Sequence, residues 1–290
     1  MKIKYYLAFI GIATLASCSK DSDPAPEPIP IVGTSFVSKL IEYLPAPGQF
    51  INESLGSIEG ANSVIGKKGL VSLGAWGGSI VLGFDHMVIN QADKDDIIIY
   101  GNPLPEFAEP GIVWVMQDTN GNGLADDTWY EVAGSEFSKP SYKRGYAVTY
   151  TKPAADADPV PWKDSDGLTG VVETNTFHRQ AYFPVMKDKD GKLITEYTLK
   201  GSKLPSTNIN MTVPTMITSV PFAWGYADNT FGGDKVDIAN AVDQAGKKVV
   251  LKGINFIKIQ TGVQANMGWL GELSTEVVGV EDISLIKVAP

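Results

Sequence analysis

Asp118, Asn120 and Asn122 alternate along Asp118-Thr-Asn-Gly-Asn-Gly-Leu-Ala-Asp-Asp127, and Gly123 follows at once. Short oxygen-bearing side chains at every second position, closed by a residue free to turn sharply, suit a hard cation that takes about six to eight oxygen ligands. The spacing predicts a structural Ca²⁺ held by Asp118, Asn120, Asn122, the Leu124 carbonyl, and Asp126 or Asp127. A helical calcium hand closes with a bidentate Glu where this chain has Trp129, so flanking helices are not implied. The competing reading is a hydrated turn that holds nothing.

Tryptophan is the second chemical signal, at positions 76, 114, 129, 162, 224 and 269. Trp76, Trp224 and Trp269 adjoin glycine, a pairing that can expose a flat ring beside open backbone, suited to stacking on a sugar or a macrocycle. Trp76, Trp162, Trp224 and Trp269 are the candidate ligand contacts, with His178 from the polar and aromatic run Asn175-Thr-Phe-His178. Trp114, inside Ile-Val-Trp-Val, reads as core, and Trp129 as a cover for the acidic loop. Asp85, Asp95 and Asp96 offer a second Ca²⁺ site or a wet hairpin tip, and Glu272, Glu276 and Asp282 are expected to line one end of the fold. His86 and His178 are the only histidines, and they lack metal-pair spacing. No nucleophile elbow or nucleotide-binding glycine loop is present.

These residues need a scaffold, and strand signals dominate it. Gly78–Gly83, Asp96–Tyr100, Gly111–Met116, Tyr146–Thr151, Lys248–Leu251 and Ile254–Thr261 are short, β-branched or aromatic, and bounded by turn formers. Helical expectations are few: a mildly amphipathic Phe36–Leu44 and a turn over Val236–Val242. The pattern predicts an all-β, jelly-roll-like antiparallel sandwich over residues 34–290, one domain with a long insertion at roughly 155–218.

Lys2 and Lys4 lead an apolar run from Tyr5 to Leu15 that ends in Leu15-Ala-Ser-Cys18, as a signal peptide over residues 1–17 requires. The tetrapeptide resembles a lipobox, which implies lipidation of Cys18, the sole cysteine. Residues 18–33 are then a lipidated, proline-rich tether, extended and semi-rigid. The charged Ser19-Lys-Asp-Ser-Asp23 resembles an outer-membrane surface-export signal, so the expected place is the outer face of the outer membrane. With no second cysteine, the body has no disulfide to rely on, and a net charge of −9 argues against nucleic acid as a partner.

Ser72-Leu-Gly-Ala-Trp-Gly-Gly-Ser-Ile-Val-Leu-Gly-Phe-Asp85, Asp96-Ile-Ile-Ile-Tyr-Gly-Asn102 and Glu109-Pro-Gly-Ile-Val-Trp-Val115 resemble secreted bacterial jelly-roll domains, as do Phe256–Thr261, Gly268–Glu276 and Val280–Asp282. Where that group often has Glu, this chain has Gly101. With Asp118–Glu131 and Ala133-Gly-Ser-Glu136, the pattern resembles surface lipoproteins that accompany corrinoid (cobalamin) transport in gut bacteria. The resemblance implies a non-catalytic binder that passes a nutrient to an outer-membrane transporter. The alternatives are a calcium-stabilised carbohydrate-binding protein, a glycan-active enzyme, or an adhesive surface module.

Overall fold

The computed structural model describes residues 32–286; the expected leader, Cys18 and the tether up to Ile31 lie outside the described residues. In chain order the strands are β1 (Lys39–Leu44), β2 (Val71–Ser72), β3 (Ser79–Ile89), β4 (Ile97–Tyr100), β5 (Gly111–Met116), β6 (Tyr130–Val132), β7 (Lys143–Thr151), β8 (Val160–Asp164) and β9 (Thr169–Val172). There follow β10 (Glu196–Lys203), β11 (Ile209–Asn210), β12 (Thr218–Ser219), β13 (Asp234–Val236), β14 (Ala241–Val242), β15 (Gly253–Thr261), β16 (Glu276–Val277) and β17 (Gly279–Asp282).

An antiparallel six-stranded sheet, ordered β1-β3-β15-β5-β6-β14, is the backbone of the fold. Its registers place Ile257 opposite Leu82 and Val115, and Ile259 opposite Ile80 and Val113. Strand alternation sends all six side chains to one face, where they are fully buried against Ile97 and Ile99 of β4, Val236 of β13 and Val280 of β17. The second layer is the three-stranded sheet β13-β4-β17, and the pair forms an all-β sandwich. Each such Ile, Leu or Val contributes about 1.5–3 kcal/mol by leaving water.

Residues 155–218, expected as an insertion, supply β8, β9, β10 and β11. With β7, three of these strands form a four-stranded sheet ordered β10-β7-β8-β9. Its own core gathers Trp76, Tyr146, Val148, Tyr150, Tyr182 and Leu199.

Two local expectations fail. The segment expected to be a helix over Phe36–Leu44 holds the edge strand β1, since pairing with β3 satisfies its backbone and buries Leu40 and Tyr43 against the sandwich core. Lys248–Leu251 makes only an isolated bridge to Val242, and Val250 stands 92 % exposed, so no strand forms there. Within the expected turn Val236–Val242, Ile238–Asn240 is a 3₁₀ turn capped by Asp237, whose carboxylate accepts the Ala239 N–H. The α-helix, α1 (Ile58–Ser63), is capped by Ser57 and has no counterpart among the sequence expectations. Among the described residues no helix is long and apolar enough to cross a membrane.

Candidate functional site

Leu44 lies opposite Ser79, Ser79 opposite Gln260, and Thr261 opposite Gly111, so β1, β3, β15 and β5 present their loops at one end of the large sheet. The segments that leave there supply Gln49, Phe50, Glu109, Trp269, Leu270, Ser274 and Glu276. Asn102 to Phe107 beyond β4, and Asn175 to His178 beyond β9, complete a cleft of about 480 Å³.

Its rim is aromatic. Phe107 meets Trp269 edge to face with centroids 5.9 Å apart, and Phe50 meets His178 at 5.2 Å. Trp269 is half exposed and Phe177 more so. Amides hold the rim in place: Asn175 Nδ2 donates to the Trp269 carbonyl at 2.7 Å, and Gln49 Nε2 donates to the Leu270 carbonyl. Half-exposed rings fixed by hydrogen-bonded loops form a preformed apolar platform with little entropy left to lose on binding.

The floor is acidic. Asn102 Nδ2 donates to Glu276 Oε2 at 2.7 Å, and Asn229 Nδ2 donates to Glu109 Oε2 at 3.0 Å. Behind them, Glu272 Oε1 accepts the Gln49 N–H at 2.9 Å, while its Oε2 is buried with no partner among the described residues. Burial, reinforced by the charge of Glu276, pushes the Glu272 carboxyl up to about 8. Burial and then the Glu276 charge hold Glu109 well above the usual carboxylate range, and burial raises Glu276. With its carboxyl near 8, Glu272 behind the floor holds its proton at neutral pH and can donate as well as accept hydrogen bonds, and Glu109 and Glu276 are shifted in the same direction. Gly101 is part of the design, because a Cβ there would stand 2.2 Å from Asn229 Oδ1, the residue that reaches Glu109.

Of the residues expected from sequence, Trp269, His178 and Glu276 line this cleft, and Glu272 lies behind it. Trp76 does not face a ligand. It is fully buried, with Nε1 donating to the Ser202 carbonyl at 3.3 Å and its ring edge to face with Tyr146. Its glycine neighbours serve close packing: a Cβ on Gly77 would stand 2.8 Å from the Leu199 side chain, and one on Gly78 would stand 1.8 Å from the Leu73 carbonyl. Trp162 lies against Gly170, its register partner on β9, and lines a separate shallow groove; Trp224 is half exposed but not part of the cleft lining. Trp114 is only partly buried, and with Trp129 it walls a second cavity. Asp282 also lies elsewhere, accepting from Ser284 and meeting His86 Nε2 at 2.9 Å, while His86 Nδ1 meets Asp85 at 2.7 Å.

In the Asp85, Asp95 and Asp96 group, Asp85 and Asp96 are each held by protein partners. Asp85 also accepts from Thr34, while buried Asp96 accepts the Gln91 and Ile238 N–H groups and is raised to about 6 by burial. Among the described residues no three His, Cys, Asp or Glu side chains form a metal-binding group.

At the far end of β5 the Asp118 loop is tightly organised. The Asp118 carboxylate accepts N–H groups from Gly121, Asn122 and Gly123 at 2.8–3.2 Å, and its own N–H donates to Asn255 Oδ1 at the register break in β15. Gly121 and Gly123 have φ of 71° and 72°, which glycine adopts without strain. The Asn120 and Asn122 side chains converge on the Asp126 carboxylate at 3.1–3.5 Å. Asp127 turns away to accept from the Thr119 hydroxyl and N–H, hydrogen bonds that lower its pKa. Asn120 Oδ1 and Asn122 Oδ1 accept the N–H groups of Asn122 and Leu124, so the loop brings Asp118, Asn120, Asn122 and Asp126 together, the residue types a hard cation takes, with Asp127 turned outside the group.

Phe50, Asn102, Phe107, Glu109, Asn175 and Phe177 were not singled out from sequence. Asn175 and Phe177 carried a signal as parts of the aromatic and polar cluster around His178, and Asn102 and Glu109 as ends of the segments that resemble jelly-roll domains. No known protein-family model matches the chain, and no curated protein matches it.

Proposed function

We propose that this protein is a non-catalytic, lipid-anchored surface binder that captures a nutrient in the Trp269 cleft and hands it to an outer-membrane transporter. The observation that carries the reading is the pairing of a Trp269–Phe107 platform, its Trp269 half exposed, with a floor of amides and carboxyls whose pKa values burial raises. A flat face fringed by amides answers both features, because the face packs on the rings and the amides exchange hydrogen bonds with Asn102, Asn175, Glu109 and Glu276. The corrin macrocycle has this chemistry, and the resemblance of the Asp118–Glu131 segment to corrinoid-associated lipoproteins supports it. The cleft of about 480 Å³ would grip one edge of such a ring rather than swallow it. Calcium in the Asp118 loop would act as a structural clip, since β5 separates that loop from the cleft by six residues, roughly 20 Å.

A glycan is the second reading. Its specific support is the same cleft volume, which suits one or two sugar rings stacked on Trp269, above Glu109 and Glu276, the kind of carboxylate pair that glycan cleavage uses. Titration of the full-length protein with cyanocobalamin and with neutral oligosaccharides separates the two, and turnover of any oligosaccharide would replace binding with catalysis.

A further inference from the structure

Glu42, Val81, Lys258, Trp114 and Glu131 stand opposite one another across β1, β3, β15, β5 and β6. Strand alternation puts this row on the face of the large sheet opposite the sandwich core. Facing it are Arg144 and Gly145 of β7 and Lys200, Gly201 and Ser202 of β10, and a cavity of about 520 Å³ lies between them. Trp129, which enters β6, adds a second indole to Trp114.

The charges here run against those of the chain as a whole, whose net charge is −9: Arg144, Lys200 and Lys258 border one cavity. Arg144 is committed, with Nη1 and Nη2 donating to the Gln244 and Asp243 carbonyls at 2.9 and 2.7 Å and Nε 3.6 Å from Glu131. The two lysines differ. Among the described residues neither lies within ion-pair distance of a carboxylate, although Lys258 is half-buried and burial lowers its pKa. Trp114 Nε1 is buried and likewise without a partner among the described residues.

We propose that this cavity is a second ligand site, for a glycan whose sugar rings carry carboxylates. The indoles of Trp114 and Trp129 offer faces for the sugar C–H groups, Glu42 and Gln244 can exchange hydrogen bonds with hydroxyls, and the ammonium groups of Lys258 and Lys200 take the carboxylate. A phosphorylated ligand fits less well, because the one guanidinium fork that would grip phosphate in two places is already bound to backbone carbonyls. The site is independent of the Trp269 cleft and of its ligand.

The test is calorimetric titration of the full-length protein in detergent with trigalacturonate and with the uncharged galactose trimer. Trigalacturonate binds and the neutral trimer does not, and added salt weakens the binding. Lys258→Met, which keeps the stem and removes the charge, weakens binding about ten-fold or more, while Lys258→Arg stays within a few-fold of wild type. Lys200→Gln, at an exposed position, gives a loss of the same sign that does not depend on the folding of the Lys258 variants. Absence of trigalacturonate binding, equal binding of the neutral trimer, or wild-type affinity in both Lys258→Met and Lys200→Gln overturns the proposal.

Discussion

Replacing Glu272 by Gln should make the protein more stable at pH 8 while leaving it almost unchanged at pH 4. Glu272 is 3 % exposed, and burial moves its carboxyl from the ordinary 4.5 to about 8. The native state therefore holds a proton that the unfolded chain releases above pH 4.5. Stability from this group is fully present below 4.5, falls as pH rises, and is gone above about 8. At about 1.4 kcal/mol per pH unit, that window amounts to roughly 4–5 kcal/mol as an upper figure. Gln keeps an oxygen for the Gln49 N–H and carries no proton to lose, so the variant lacks this slope. Other buried acids, Asp96 and Asp228 among them, also make the wild type less stable as pH rises, and the difference between the two proteins isolates Glu272. Urea unfolding followed by tryptophan emission from pH 4 to 9 measures that difference. A gap that stays constant across the range would refute the protonated-carboxyl account of the cleft floor.

Chelation should lower the melting temperature of the wild type, because a cation held only by the native loop stabilises it, and Asp118→Ala should abolish the effect. Differential scanning fluorimetry with and without chelator checks this, and Asp127→Ala should retain the dependence because Asp127 serves Thr119 instead. Trp76→Ala should cost about 3–5 kcal/mol in urea unfolding, as expected for a large aromatic removed from a fully buried position.

The central strands were legible because β15 and β5 announce themselves locally: Ile254–Thr261 and Gly111–Met116 are β-branched runs between turn residues, and each is paired on both sides. β1 was not, since Phe36–Leu44 has no strong period of its own and becomes a strand only because β3, about forty residues later, offers a partner. The tryptophans show the same limit in side chains. Glycine beside Trp76 suggests an exposed ring, yet Gly77 and Gly78 let Leu199 and the Leu73 carbonyl approach. Glycine beside Trp269 does accompany a half-exposed ring, so one local pattern serves two opposite packings. The cleft floor was half legible. Glu272 and Glu276 read as an acidic end from sequence, but Glu109 joins them through contacts some 165 residues away, which no local spacing reports. The turn geometry of the Asp118 loop is readable locally, because apart from the Asp118 N–H bond to Asn255 its hydrogen bonds span no more than eight residues.

Isothermal titration of the full-length protein with cyanocobalamin, alongside the Trp269→Ala variant, tests the binding claim most directly. Trp269 is half exposed, so its removal should leave the melting temperature close to wild type. The account predicts saturable binding by the wild type and a loss of about ten-fold or more in the variant. No heat with cyanocobalamin, or binding that Trp269→Ala leaves unchanged, would contradict it.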